Sequence, residues 1–330
     1  MTLSLHERWF VADGLFPVQF GLALTRQTWI PLGVAIGVTV FATAISRARR
    51  GRLVIPGPLE LGMPWQNYQQ MLSWMPLVIG VHTAVPLLVS GVNLRLLVPN
   101  LVLPTNLLGG VLGLAEIGVG LSFVYGALAR FGAATLALVW LAGALLFGPI
   151  RLLEHSLFLG IAFFIFAMGR GPLAFDMALT RLHRPVDRLV PYAVPVLRVL
   201  TGVSILVLAF TEKLWNPDMG LAFLKEHPFN FFPALGLQAI DDRAFLLIAG
   251  TVELTFGALL ISGAFIRLVI LLLWVPFNLT LPFLGWRELV GHLPIYGVLA
   301  LLLIWGETRP QAEQAMIDGI GKRDRPGGHE

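Results

Sequence analysis

The sequence predicts an all-α, polytopic integral membrane protein of about nine transmembrane helices: one N-terminal helix, then two parallel four-helix repeats. Three observations predict it. Apolar residues make up 56% of the 330 residues and charged ones 13%, with a mean hydropathy of +0.79; a soluble domain carries about a quarter charged residues. Apolar runs of the length needed to cross a hydrocarbon core about 30 Å thick, roughly 20 residues each, recur along the whole chain. Finally, one fixed shift of the chain against itself lays Glu116 on Glu253, Arg130 on Arg267 and His155 on His292.

The segment ahead of Trp29 holds His6, Glu7, Arg8 and Asp13 but no long apolar run. It lacks the basic start and small-residue cleavage site of a signal peptide, and Trp9, Phe10, Phe16 and Phe20 suit the membrane interface. Spans are then expected near 29–46, 72–92, 109–129, 131–148, 153–170, 191–212, 244–265, 267–284 and 290–306. Placing the N-terminus outside leaves Arg8, Arg26, Arg95, Arg151, Lys213, Lys225, Arg243 and Arg287 in outer segments. Arg198 falls within the sixth span, and the remaining 14 of the 23 basic residues lie inside. That asymmetry follows the positive-inside rule, putting the C-terminus in the cytoplasm and the chain in a bacterial plasma membrane.

The same shift also aligns Gly113 with Gly250, Gly120 with Gly257, Gly126 with Gly263, Gly148 with Gly285 and Gly160 with Gly297. Apolar matches mean little in so apolar a chain, whereas one Glu, one Arg and one His per half at a fixed shift are hard to produce by accident. Residues 1–71 therefore form an N-terminal interfacial segment, the first helix and an inner loop. Residues 72–170 form one four-helix repeat and 191–306 the second. The 171–190 joint, with Phe175, Met177, Leu179 and Leu182 beside Arg181, Arg184 and Arg188, reads as an inner amphipathic helix. Residues 307–330 read as a polar cytoplasmic tail. An even number of crossings per unit makes the repeats parallel.

The candidate chemistry lies in the intramembrane polar residues, which are costly in lipid and face the bundle interior. Glu116 and Glu253 sit two to three turns into their helices, so about 10 to 15 Å deep. Arg151, Glu154 and His155, at i, i+3 and i+4, are expected on one helical face; Arg287, Glu288 and His292 have a similar spacing. Carboxyls and imidazoles converging from different helices suit quinone carbonyls, proton relay or a metal. His82, Glu116 and His155 would supply three metal ligands, but no His-x-x-x-His pair accompanies them. Arg130 and Arg267 read as caps on the C-termini of their helices. Gly118, Gly120, Gly257 and Gly263 read as points of close helix approach, and the aromatic stretch from Trp215 to Phe232 as an interfacial belt.

No phosphate loop, dinucleotide fingerprint, His-Glu-x-x-His or Gly-x-Ser-x-Gly is present, which argues against nucleotide cofactors and hydrolase chemistry. With no cysteine there is no cysteine-ligated iron–sulfur cluster and no c-type haem attachment. A net charge of +4, clustered beside apolar runs, sets topology and implies no nucleic acid.

Residues 197–306 resemble the DoxX-like family of four-helix membrane proteins. The resemblance rests on the helix from Arg198 through Gly202 to Glu212-Lys213-Leu214, the Glu-x-x-x-Gly step beginning at Glu253, the Gly263-Ala264-Phe265-Ile266-Arg267 turn, and the last helix from His292 to Gly306. Through the repeat it extends, more faintly, to residues 76–170. It implies a four-helix unit with Glu253 and Lys213 as matching polar positions. It also implies kinship with thiosulfate:quinone oxidoreductase subunits and with membrane partners of thiol-redox systems. The first repeat departs from the pattern, with Val92 and Asn93 near the places of Glu212 and Lys213. The leading expectation is a redox-associated subunit that binds a quinone or a small reduced substrate, sulfur compounds included, and works with other membrane or periplasmic redox proteins. The alternatives are a transporter rocking about a cavity that holds Glu116 and Glu253, and a scaffold or assembly factor without catalysis.

Overall fold

The computed structural model describes residues 7–11, 16–49, 53–178, 184–306 and 309–323. Of the residues singled out above, His6, Asp13, Leu179, Arg181 and Leu182 lie outside that set. Among the described residues the regular structure is helical, apart from one isolated antiparallel bridge between Arg95 and Val102. The helices are α1 (Arg26–Ala48), α2 (Trp65–Val92), α3 (Leu107–Tyr125), α4 (Ala129–Phe147), α5 (Pro149–Leu153) and α6 (Ser156–Met168). They continue with α7 (Val190–Leu208), α8 (Pro217–Glu226), α9 (Asp242–Ser262), α10 (Ile266–Trp305) and α11 (Arg309–Arg323). A π-helical segment, Ala209–Leu214, extends α7.

Seven of these helical stretches are long and apolar enough to cross a membrane. Their outward faces are apolar, with Leu145, Phe131, Phe41 and Val40 all exposed, the reverse of a soluble helix and the mark of a chain solvated by lipid. The chain is a helical, multi-pass membrane protein. The expected fifth span is shortened to α6, 13 residues, because the chain breaks at His155 before it and turns at Gly169, with φ 74, after it. The expected eighth and ninth spans form one 40-residue helical run, interrupted at Gly285 with φ 67 and ψ −148.

The chain divides into two compact units. One comprises Gly51–Leu200 and Leu289–Glu330. Within it α2 packs on α3, α3 on α4, α4 on α6, and α11 on α2. The expected polar tail is thus partly a packed helix: Ala312, Ala315, Met316 and Ile320 are buried, and Gln69 Nε2 donates to Asp318 Oδ2 at 3.1 Å. Gly120 lies so close to α2 that a Cβ there would meet the Leu88 side chain at 2.7 Å.

The tight turn between α3 and α4 puts Gly126 at φ 63 and Leu128 at φ 54. The segment after α6 locks it. Arg170 Nε donates to Phe123 O at 2.8 Å and Nη1 to Pro172 O at 2.7 Å, while Nη2 donates to Val124 O, so a guanidinium covers the carbonyl end of α3. Asp176 accepts from Leu128 N at 2.7 Å and Ala129 N at 2.9 Å, capping α4 from outside its own sequence. Asp176→Ala is expected to cost about 1–2 kcal/mol, read as a lowered melting temperature in detergent, with Asp176→Asn keeping part of the stability. Arg170 and Asp176 thus cap two helices. The part of the joint described up to Ala178 holds one 3-10 turn, Phe175–Ala178, while 179–183 of the expected amphipathic helix lie outside the described residues. Arg130 opens α4 instead of ending α3, so the C-terminal cap expected of it is a different one: its Nε donates to Phe166 O, in α6, at 3.0 Å. Arg267 likewise opens α10 and is buried.

The other unit comprises Met1–Arg50 and Thr201–Glu288. Here α1 packs on α9, α9 on the π-helical segment, and α8 on both. A Cβ at Gly257 would meet Gly202 O at 2.8 Å, and one at Gly202 would meet Gly257 O at 2.7 Å, so two glycines face each other where these helices cross. Gly263, in contrast, serves as a left-handed C-cap with φ 77, and Gly118 has nothing within 4 Å; neither mediates the close approach expected of it. Phe223, Leu224, Phe229, Phe245, Leu246 and Leu284 form a buried core with Phe10 and Phe232 packed against it. The aromatic rings of the 215–232 stretch thus pack on one another and on the N-terminal Phe10.

One backbone feature recurs between the units. Positive φ occurs at Gly126 and Gly263, at Leu128 and Phe265, and at Gly148 and Gly285, each pair related by the same shift that lays Glu116 on Glu253. Leucine and phenylalanine rarely adopt this conformation, and both do so at the same step of the turn.

Candidate functional site

The site grows from the π-helical segment. An extra residue per turn widens the helix, ending with Trp215 N donating to Phe210 O at 2.7 Å. As a result Thr211, Glu212, Lys213 and Leu214 are all buried in succession, which a regular helix facing lipid on one side does not allow. Gly250 on α9 makes room: a Cβ there would stand 3.0 Å from the Leu214 side chain and 3.2 Å from Lys213 Cβ.

Lys213 Nζ lies 3.1 Å from Glu253 Oε1 on α9 and 3.3 Å from Glu7 Oε1. Glu7 and Arg8 arrive from a 3-10 turn, Glu7–Trp9, at the far N-terminal end of the chain. Glu212 Oε2 accepts from Glu7 N at 2.7 Å, Glu212 Oε1 lies 3.7 Å from Arg8 Nε, and Arg8 Nη2 donates to Thr211 O at 3.0 Å. All five charged side chains are 3% exposed or less. Burial pushes the Glu7 carboxyl above its usual range, against the opposing pull of Lys213 and then Arg8. Glu7 Oε2 and Glu253 Oε2 are buried with no hydrogen-bond partner among the described residues.

A cleft of about 260 Å³ opens onto this cluster. Its walls are Gln27 of α1, Lys213 and Leu214 of the π segment, Pro217 of α8, and Asp241, Arg243, Ala244, Leu246 and Leu247 at the start of α9. Gln27 Nε2 is held by Leu214 O at 2.9 Å, and Asp241 caps α9 by accepting from Ala244 N at 2.8 Å. The cleft is mostly apolar, with buried Lys213 among its lining residues and exposed Asp241 and Arg243 beside it; ligand sites combine these same features.

The other expected site residues are placed as follows. Glu116 is fully buried in the first unit, and its Oε1 accepts from Leu97 N at 2.6 Å. Among the described residues no cation takes the place that Lys213 has beside Glu253. Leu97 lies in the loop between α2 and α3, so Glu116 anchors that loop. Glu116→Gln keeps that acceptor and is expected to cost under about 1 kcal/mol, while Glu116→Leu orphans a buried N–H and is expected to cost about 1–3 kcal/mol. Denaturation of the two variants checks this.

Arg151, Glu154 and His155 do not share a helical face. Arg151 belongs to α5, Glu154 is its C-cap, and His155 breaks the helix with φ −115 and ψ 26 before α6 begins. Glu154 and His155 are buried, and the His155 carbonyl accepts from Trp140 Nε1 at 3.1 Å. Glu288 Oε1 accepts from Thr280 Oγ1 at 3.0 Å. Arg287, exposed, donates to Trp9 O at 2.9 Å and stands 6.0 Å from the Phe10 ring centroid, pinning the N-terminal turn. His292 is buried in the first unit, whereas Glu288 belongs to the second. His82 Nδ1 lies 2.7 Å from Val78 O; a carbonyl only accepts, so Nδ1 carries the proton and is no metal ligand. Among the described residues no group of three or more His, Cys, Asp or Glu gathers closely enough to hold a metal ion, and His82, Glu116 and His155 do not form one.

Glu7 and Arg8 are the site residues that sequence reasoning missed. Their one signal was an adjacent acid and base, mirroring Glu212-Lys213, in a stretch otherwise suited to the interface. No protein-family model, curated protein or solved structure matches this chain.

Proposed function

We propose that the chain is a redox-associated membrane subunit whose ligand site is the Lys213 cleft, binding the head group of a quinone or a small reduced, sulfur-containing substrate. The observation that carries this reading is a cleft lined in part by a buried lysine that is held between two carboxylates. Its volume of about 260 Å³ lies just below the usual range for drug-sized ligands, about 300–1,000 Å³, and suits a single ring or a smaller solute. The ammonium is a hydrogen-bond donor for a carbonyl or another acceptor atom, and the carboxyls beside it can hold or pass a proton. A quinone would supply two-electron chemistry when bound. With no cysteine in the chain, the electrons come from a partner or a bound cofactor.

In this reading the second repeat is DoxX-like, and Lys213, Glu212 and Glu253 are its working polar set. Support for a duplication comes from the three pairs of positive-φ residues at one fixed shift and from the buried glutamates at that same shift. Support for nine crossings of a bacterial plasma membrane, N-terminus outside, comes from charge asymmetry and from α10. A run of 40 residues is about 60 Å long, twice a bilayer core, and it breaks at Gly285. The test compares membranes with and without the protein for thiosulfate- or sulfide-dependent quinone reduction. Loss of that activity in Lys213→Met and Glu253→Gln supports the site. Full activity in both excludes it, and His292→Ala checks the imidazole outside the cluster.

A further inference from the structure

We infer that Glu7 sets the charge preference of the Lys213 cleft, which accepts an uncharged hydrogen-bond acceptor and rejects anions. The inference rests on the cleft being a ligand site, as proposed above. A lone buried lysine at the end of an apolar cleft would attract anions. Here its charge is over-answered: carboxylate oxygens of Glu7 and Glu253 lie 3.3 and 3.1 Å from the same Nζ. Arg8 does not redress this, because Glu212 lies beside it at 3.7 Å. At the rim, Asp241 and Arg243 carry opposite charges. An anion reaching Lys213 therefore meets one ammonium and two carboxylates where burial weakens screening. The unpartnered Oε2 atoms of Glu7 and Glu253 add lone pairs to that repulsion.

Glu7 is the distinctive member of this set. It comes from a turn outside the spanning helices, its backbone N–H is tied to Glu212, and α8 closes over it, so that a Cβ at Gly220 would stand 3.0 Å from its Oε2. The N-terminal turn thus contributes an acidic group to a site built otherwise from spanning helices.

The test uses the full chain in lipid nanodiscs with two probes, decylubiquinone and thiosulfate. Wild type is expected to bind decylubiquinone in preference to thiosulfate. Glu7→Gln, which keeps the size and the backbone N–H, is expected to raise the ratio of thiosulfate to decylubiquinone affinity about tenfold or more, since the anion feels the lost charge most. Glu7→Asp should keep the wild-type preference, which a merely structural role would not require. Equal thiosulfate binding by wild type and Glu7→Gln, or a parallel change for both probes, overturns the inference while leaving the cleft as a site, provided Lys213→Met abolishes binding. If neither probe binds any variant, the site reading falls and this inference falls with it.

Discussion

Lys213→Met is expected to be the most damaging single change in the second unit, lowering stability by about 3–5 kcal/mol. The reason is what it leaves behind. Lys213 is 3% exposed and answers two carboxylates, Glu7 and Glu253, that are themselves buried; without the ammonium, both lose the cation they share. The companion experiment removes the partners too. Replacing Lys213, Glu7 and Glu253 together with Met, Gln and Gln is expected to recover most of the lost stability, because an uncharged cluster of similar volume carries no unpaired charge. Denaturant titration of single, double and triple variants in detergent measures the coupling. Recovery of stability without recovery of ligand binding separates the structural part of the cluster from its function. If the triple variant is no more stable than Lys213→Met, the cluster is not held together by charge compensation.

The parts of the molecule that could be read from sequence are those governed by short-range rules. Spans such as α1, α3, α4 and α9 announce themselves by about 20 apolar residues, because lipid demands that length. The turn at Gly126–Leu128 and its counterpart at Gly263–Phe265 could be aligned because glycines mark left-handed positions, although nothing local foretold the positive φ of Leu128 and Phe265. The carboxylates at 116 and 253 were visible as charges inside apolar runs; their different fates were not. What decides those fates is a lysine on another helix for Glu253 and a backbone N–H for Glu116.

Long-range pairing was the illegible part. Glu7 and Arg8 reach Glu212 and Thr211 across more than 200 residues of sequence, and the aromatic stretch after Trp215 packs through Phe223 on Phe10. Helix α11 hides for a different reason: its buried Ala312, Ala315, Met316 and Ile320 are spaced for one face, but polar residues between them dilute the apolar signal below that of a span. The break at His155 was masked by favourable i, i+3, i+4 spacing, which carries meaning only where the helix is continuous.

Gly257→Val is expected to be the second large effect, about 1–3 kcal/mol or more, because the neighbours of the added atoms cannot yield. A Cβ at Gly257 would meet Gly202 O at 2.8 Å and Leu206 N at 3.0 Å, both backbone, so the two helices themselves would have to part. In lipid no hydrophobic effect between helices makes up for lost packing, and parting them also moves the π segment and Lys213. Gly120, which the shift that pairs Glu116 with Glu253 lays on Gly257, grades the effect. At Gly120 the first atoms met belong to Leu88, at 2.7 and 2.9 Å, a side chain that can rotate, with Ala84 O behind at 3.2 Å; Gly120→Val is expected to cost less. Gly118, with nothing within 4 Å, supplies the control, and Gly118→Val is expected to stay within about 0.5 kcal/mol of wild type. Melting temperatures in detergent should rank the three variants Gly257, Gly120, Gly118 from most to least damaged. A Gly118 variant as unstable as the Gly257 one would mean that valine harms these helices through propensity alone, and the close crossing of Gly202 and Gly257 would not be what holds the second unit in register.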